Sequence, residues 1–314
     1  MPPPGSHSAP LHLAAREPQN VSARQTLEHL SRLPLRVRRS LLLVGFHIGR
    51  RFGYLAASPA EALRISVALH IPLKNALKIA GEAMFHDLMF AVEWLALKNR
   101  TPAGLFRDAR AVRITDHEIV QWASEQKAVI LATLHMASYA TSLAKLLYAH
   151  FPGRQVVIVR SKSITEDERQ ALAKLAMIGV QAEYLFLDRP ETFLDLVRLV
   201  KRGAVLVTLV DLPHEYGRSC EVDLFWQRAS IAIGVADLSA LCRAPIVLFR
   251  TVSKVLGDEI IVDSVIEIGV MTAAKRQNAA DTIARFINAA VRAAPAQWHM
   301  WDRLPEYAVP APCA

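Results

Sequence analysis

The stretch AVILATLHMASYATSLAKLLYAHFPGRQVVIVR, residues 128–160, decides the fold of this chain. It begins with an apolar run, turns at His135, continues as an amphipathic helix and ends in a second apolar run. Short apolar runs on either side of a helical pattern are typical of parallel strands that are buried on both faces. The stretch therefore predicts a strand–helix–strand unit with a histidine at the point where the first strand ends and the helix begins.

The same alternation continues along the chain. Strand-like runs are predicted at residues 129–134, 156–160, 183–187, 204–210, 245–251 and 259–265. Helices are predicted at residues 115–126, 138–150, 165–178, 191–201, 231–241 and 278–293. Alternation with short connections predicts an α/β fold, with a mostly parallel central sheet flanked by helices.

The N-terminal third has a different character. Residues 1–20 are rich in Pro and Ser, lack the pattern of a signal peptide and are expected to be a disordered tail. Residues 61–98 show helical spacing that Pro72 divides into two helices, and residues 99–114 are expected to be a basic connector. We expect four regions: a tail at 1–20, a helical membrane-associating region at 21–98, an α/β domain at 99–307 and a tail at 308–314.

The membrane expectation rests on residues 34–55, PLRVRRSLLLVGFHIGRRFGYL. Their apolar part, residues 40–49, is too short to cross a bilayer, which needs about 20 residues in a helix. The flanking arginines favour an interfacial helix whose guanidinium groups bind anionic headgroups; they are Arg36, Arg38, Arg39, Arg50 and Arg51. The alternative is an ordinary amphipathic helix packed on the domain.

Composition is consistent with an anionic partner. The 314 residues carry 37 Lys and Arg against 29 Asp and Glu, for a net charge of +8, and 52% of them are hydrophobic. The high apolar content favours a membrane surface over nucleic acid, because aromatic residues make up only 7% and no basic run is interleaved with them. The three cysteines show no paired spacing, so neither a disulfide framework nor a metal site is expected, and no cofactor is predicted.

Polar side chains that could carry chemistry follow three of the predicted strands. Ligands of open α/β sheets collect at the carboxyl ends of the strands, so these side chains are expected to share one rim. His135 is the candidate catalytic base, and the candidate substrate-binding residues are Ser138, Tyr139, Arg160, Lys162 and Asp211. Arg160 and Lys162 are the candidates for binding a phosphate or an oxyanion.

Several motifs in order resemble one family. They are His135 after an apolar strand, Val159-Arg160, Lys201-Arg202-Gly203 followed by a strand and Asp211, Val222-Asp223-Leu224-Phe225, Ala244-Pro245, and the run 295–303, PAQWHMWDR. From about residue 40 to residue 307 the chain resembles the lauroyl and myristoyl acyltransferases of lipid A biosynthesis, within the lysophospholipid acyltransferase group. The resemblance implies that His135 is a general base and that an acidic residue of an H-x-x-x-x-D/E motif orients it.

The chain departs from that motif at the acid. Ala140 stands where the acid is expected, and there is no Asp or Glu between Glu125 and Glu166. Ser138 or Tyr139 are candidates to orient His135, and Asp211 is a candidate to reach it across the rim. Alternatively Asp211 is a structural cap, and His135 is a satisfied histidine in a degenerate site.

Three hypotheses follow. The first is a peripheral acyltransferase on the cytoplasmic face of the inner membrane, which transfers a fatty acyl group from acyl carrier protein, or less favourably coenzyme A, to a lipid acceptor. The second is a catalytically degenerate member of the same fold that binds lipid or serves as an accessory subunit. The third rests on charge alone and is a nucleic-acid binder, for which no recognition element is present.

Overall fold

The computed structural model describes residues 21–160, 165–187 and 190–309. The expected tail at residues 1–20 and the candidate Lys162 lie outside these residues. The helices are α1 (Val21–Ser31), α2 (Leu35–Arg51), α3 (Pro59–Leu69), α4 (Leu73–Asn99), α5 (Pro102–Ala109), α6 (His117–Glu125), α7 (Tyr139–His150), α8 (Glu166–Ala176), α9 (Pro190–Arg202), α10 (Gly234–Cys242) and α11 (Ala273–Ala293).

The strands are β1 (Val112–Ile114), β2 (Val129–Thr133), β3 (Gln155–Arg160), β4 (Gln181–Phe186), β5 (Val205–Leu209), β6 (Ser219–Leu224), β7 (Gln227–Ala232), β8 (Ile246–Lys254) and β9 (Gly257–Ile266). Seven of these strands form one sheet in the order β1-β9-β8-β2-β5-β3-β4. Neighbouring strands are parallel except for β8 and β9, which form an antiparallel hairpin. The predicted α/β class with a mostly parallel sheet is thus confirmed.

Alternate residues of the central strand β2 face two separate apolar layers. Val129 and Leu131 pack with residues of α6, α7 and α8, whereas Ile130 and Ala132 pack with residues of α3, α9, α10 and α11. All five residues of β2 are buried, which explains why its sequence is apolar without alternation. The carboxyl ends of β2 and of its parallel neighbour β5 therefore lie side by side at the centre of the sheet.

Two parts of the predicted element list are wrong. The expected connector at residues 99–114 contains α5, which Thr101 caps by accepting a hydrogen bond from the Gly104 N–H, and the edge strand β1. The hairpin of β6 and β7 was not predicted, and its second strand occupies the first residues of the helix expected at 231–241. The predicted interruption at Pro72 is confirmed, since α3 ends at Leu69 and α4 begins at Leu73.

The positions of Arg38 and Arg39 in α2 contradict part of the expectation that the arginines of this segment bind membrane headgroups. Arg38 and Arg39 do not face outward: both are buried and paired with the Glu93 carboxylate, and Arg39 also pairs with Asp258. Arg38 pairs further with Asp108 of α5. Buried arginines need buried acidic partners, and here the acids come from three elements, α4, α5 and β9.

The opposite face of α2 is apolar and exposed. Its large exposed side chains recur every three or four residues, so they form one stripe along the helix; they are Val37, Leu41, Val44, Ile48 and Phe52. Among the described residues, no helix combines the length and the hydropathy needed to cross a bilayer.

Candidate active site

The catalytic candidate His135 lies two residues after β2, in the turn that leads into α7. Ala137 in this turn has a left-handed backbone, with φ of 57°, which L-residues other than Gly, Asn and Asp rarely adopt. The turn closes tightly, because the Met136 N–H donates to the Leu134 carbonyl at 2.7 Å. The His135 side chain is 1% exposed. The strained turn therefore holds the imidazole in the protein rather than in solvent.

Asp211 supplies the carboxylate that the sequence around His135 lacks. It follows β5, the parallel neighbour of β2, and its Oδ1 lies 2.9 Å from His135 Nδ1. Asp211 Oδ2 accepts a hydrogen bond from the His135 backbone N–H, also at 2.9 Å. A carboxylate can only accept, so Nδ1 carries the proton and Nε2 presents a lone pair. Among the described residues, Nε2 makes no hydrogen bond.

Two aromatic residues near the C-terminus hold Asp211. The Trp298 indole N–H donates to Asp211 Oδ2 at 2.9 Å, and the Tyr307 hydroxyl donates to the Asp211 backbone carbonyl at 2.5 Å. All three side chains are buried. Trp298 is thus a core residue whose indole N–H also contacts the acid of the pair, a contact that the sequence analysis missed. The signal was available: a buried Trp needs an acceptor for its N–H, and a buried Asp needs donors.

The same C-terminal segment closes over the His135 turn. The Ala137 N–H donates to the Gln297 carbonyl at 2.8 Å, and the His299 N–H donates to the His135 carbonyl at 2.9 Å. The His299 ring lies between two acceptors, with Nδ1 2.7 Å from Asp87 Oδ1 and Nε2 3.0 Å from the Ala137 carbonyl. Only an imidazolium donates to both, so this form of His299 satisfies every contact. A second His–Asp pair thus braces the turn that carries the first.

Ala140 does not point toward His135's carboxylate partner. It is 7% exposed and belongs to the apolar layer beneath α7, together with Leu143 and Ala144. An acid at this position would be buried among aliphatic side chains. The apolar packing at position 140 therefore suits Ala140 and would not suit the acid of the motif.

The two other candidates lie beside His135, where Ser138 is buried and Tyr139 is half-buried. Ser138 is the N-cap residue of α7, but its side chain caps nothing: its N–H donates to Ser253 Oγ at 3.0 Å, and its own hydroxyl makes no hydrogen bond within the described residues. The Tyr139 ring lies edge-on to the His135 ring, with 6.4 Å between centroids. Burial raises the pKa of Tyr139, so its hydroxyl stays protonated.

Arg160 ends β3 as predicted, but it is not a free cation. Its guanidinium pairs with the Glu168 carboxylate and lies over the Tyr184 ring at 5.0 Å. Both members of the ion pair are about one-fifth exposed, at 21% and 18%. An anion at Arg160 would have to compete with Glu168. The other basic candidate, Lys162, lies outside the described residues.

Within the described residues, no group of three or more His, Cys, Asp or Glu side chains could hold a metal ion. The site is therefore built from a His–Asp pair, a tyrosine and serine hydroxyls at the carboxyl ends of central strands. This arrangement can hold a neutral imidazole as a base toward a bound hydroxyl or amine.

Comparisons with known proteins show which family the chain resembles. No curated protein matches the chain. The family described as bacterial lipid A biosynthesis acyltransferase matches residues 27–304, which include every element from α2 to α11 and the whole His–Asp site. The chain belongs to the bacterial lipid A biosynthesis acyltransferase family.

Proposed function

We propose that this acyltransferase moves a fatty acyl group from the thioester of acyl carrier protein, or of coenzyme A, to a hydroxyl or amine of a lipid A-like or other lipid acceptor. Family membership supports an acyl donor and a lipid acceptor. The observation that carries the proposal is the 2.9 Å contact between His135 Nδ1 and Asp211 Oδ1, because it leaves Nε2 ready to accept a proton.

In the proposed reaction, His135 Nε2 takes the proton of the acceptor hydroxyl as the oxygen attacks the thioester carbonyl carbon. The tetrahedral intermediate collapses, the carbon–sulfur bond breaks, and the imidazolium returns the proton to the leaving thiolate. The products are an ester, or an amide from an amine, and a free thiol. Asp211 stays ionised throughout: it fixes the tautomer and stabilises the positive charge that His135 carries in between.

The amino terminus of α7 is positioned to stabilise the oxyanion. The first N–H groups of a helix have no intrahelical acceptor, and here the N-cap Ser138 side chain satisfies none of them. These N–H groups follow His135 by four residues or more, so they lie at the same end of the sheet. Partial positive charge at that end favours the negative charge that develops on the thioester oxygen.

The Asp211 contact favours a working site over a decayed one. A degenerate site has no need to keep a buried carboxylate with three donors on its two oxygens, and an unpaired buried charge would cost several kcal/mol. The second hypothesis, a catalytically degenerate lipid-binding or accessory protein, therefore receives no specific support.

We further propose that the enzyme works at the cytoplasmic face of the inner membrane, as a peripheral protein. The exposed apolar stripe of α2 and the exposed Arg36, Arg50 and Arg51 support this location. From Glu28 to Glu82 the only intervening acid is the buried Glu61, so α2, α3 and the first turns of α4 present cations and apolar groups to their surroundings.

The proposal is tested by incubating the purified protein with acyl carrier protein that carries labelled lauroyl or myristoyl thioesters, and with lipid A precursors or bulk phospholipids in detergent. We expect acyl-lipid product from the wild type and none above background from H135A. The matched control is H117A, since His117 is exposed at the start of α6. Full turnover in H135A would refute the assignment of the base.

A further inference from the structure

The tip of the β6–β7 hairpin has an unusual conformation. Leu224 pairs with Gln227, so Phe225 and Trp226 form a two-residue turn, and both have positive φ, 52° and 66°. Such turns normally contain Asn and Gly, because these residues adopt the left-handed region most easily. Two bulky aromatic residues are therefore held in a conformation that disfavours them.

The two aromatic rings point in opposite directions. Phe225 is buried against Trp298 and Trp301, and its N–H donates to Asn288 Oδ1 at 2.8 Å, which explains why the hairpin is anchored. Trp226 is 74% exposed, the most exposed of the five tryptophans. Packing in the core therefore explains why an aromatic residue stands at position 225, but it does not explain the one at position 226.

Other side chains support Trp226 from outside the hairpin. The Arg292 guanidinium of α11 lies 5.1 Å from the Trp226 ring centroid, and the His70 ring lies 6.3 Å from it, edge-on. His70 directly follows α3 and continues the helix face that carries Leu63 and Val67, which are 57% and 50% exposed. Trp226 thus extends an exposed apolar face of α3.

The charges of α3 beyond Glu61 and of the start of α4 have one sign, and the two acids of the hairpin, Glu221 and Asp223, pair with Arg228. Between Glu61 and Glu82 the sequence contains Arg64, His70, Lys74 and Lys78 but no Asp or Glu. Helix α4, which packs against α3, begins with Leu73 and Leu77, and both are exposed. Apolar side chains interleaved with cations, with a tryptophan at the edge, match a surface of anionic phospholipid, where indole rings settle at headgroup depth.

We infer that the Trp226 tip, Leu63 and Val67 form a lipid-contacting patch of their own, in addition to the stripe on α2. The patch would contact an anionic bilayer, with Trp226 inserted among the headgroups and Arg292 close to a lipid phosphate. This inference rests on the proposed membrane location but not on acyl transfer.

The experiment compares W226G with the wild type in binding to vesicles of phosphatidylglycerol and phosphatidylcholine. Because Gly adopts the φ of position 226 without strain, W226G is expected to fold at least as stably as the wild type. We expect its vesicle binding to be about tenfold weaker, as for loss of one large interfacial side chain. Quenching of tryptophan emission by lipids with brominated acyl chains is expected in the wild type and is expected to be much reduced in W226G.

The matched control is M177A, which removes an exposed apolar side chain, 64% exposed, just after α8. Unchanged vesicle binding in W226G, or an equal loss in M177A, overturns the inference. A W226G protein that binds vesicles normally but loses self-association or carrier-protein binding overturns it as well. The vesicle assay does not depend on catalysis. A protein that binds vesicles but transfers no acyl group would refute the proposed reaction without affecting the inference about Trp226.

Discussion

At the residue scale, the site depends on contacts between residues that are far apart in the sequence. Because the carboxyl ends of parallel strands meet at one edge of a sheet, the sequence predicted that His135 and Asp211 lie in the same region. The structure places them in hydrogen-bond contact. Their separation of 76 positions carries no distance information, so the pairing itself could not be predicted from the sequence. The same limit applies to Trp298, whose indole N–H reaches Asp211 from the far end of the chain.

Removal of the His299 side chain tests the second His–Asp pair. In H299A the Ala137 carbonyl loses its hydrogen bond to the His299 ring, so we expect a loss of about 1–3 kcal/mol in the free energy of unfolding. We also expect kcat to fall roughly tenfold with KM unchanged, because the His135 turn loses its brace. Chemical unfolding and steady-state acyl transfer measure the two effects.

For this prediction the control is again H117A. A loss of stability in H299A with kcat at the wild-type level would contradict the positioning role and leave His299 as a purely structural residue.

At the element scale, long apolar strands and long helices could be predicted, and short or strained elements could not. The run at 129–134 is apolar because both faces of β2 are buried, so the sequence predicted it within one residue. The β6–β7 hairpin was missed because its turn is Phe225-Trp226 rather than a pair such as Asn-Gly. Strand β1 has only three residues, too few to show a period.

Substitution A140E tests the packing of α7. Restoring the motif acid would place a carboxylate in the apolar layer next to Leu143 and Ala144, without a partner there. We expect a destabilisation of several kcal/mol and no gain in turnover. Thermal unfolding and the acyl-transfer assay check this, with A140L as a size control that adds no charge.

Higher acyl-transfer activity in A140E than in the wild type would contradict this account of α7. It would mean that the motif acid, when present, can reach His135 from the helix.

At the scale of the whole molecule, buried charges attach the N-terminal helices to the α/β domain. Glu93 of α4 accepts from Arg38 and Arg39 of α2 and from the Thr141 hydroxyl of α7. We expected both arginines at a membrane surface. An apolar helix centre flanked by arginines occurs both in interfacial helices and in helices that pack on a domain, so the sequence pattern does not distinguish them. The acids that pair with them come from α4, α5 and β9, which local sequence does not reveal.

This network predicts how stability depends on pH. Burial opposes the charge of Glu93, but Arg39 and Arg38 outweigh it and lower the pKa of the carboxyl from 4.5 to about 2. The folded state therefore binds fewer protons than the unfolded state between these values. The contribution of Glu93 to stability should be complete above pH 4.5 and be lost as the pH falls toward 2.

In E93Q we expect a loss of about 3–5 kcal/mol at neutral pH, because two buried guanidinium groups lose a charged partner. Its stability should also fall less steeply with acid than that of the wild type. Urea unfolding from pH 7 to pH 3 measures both effects, with E82Q as the exposed control on the same helix. An E93Q curve parallel to the wild-type curve would contradict the lowered pKa.

The most direct test of the central claim is the turnover number of D211N, measured with acyl carrier protein thioester as donor. Asn keeps the size of Asp211 but removes the charge that stabilises the His135 imidazolium. We predict a kcat roughly three to four orders of magnitude below the wild type, with folding retained. A D211N enzyme within a few-fold of the wild type, beside an inactive H135A, would show that His135 works without Asp211.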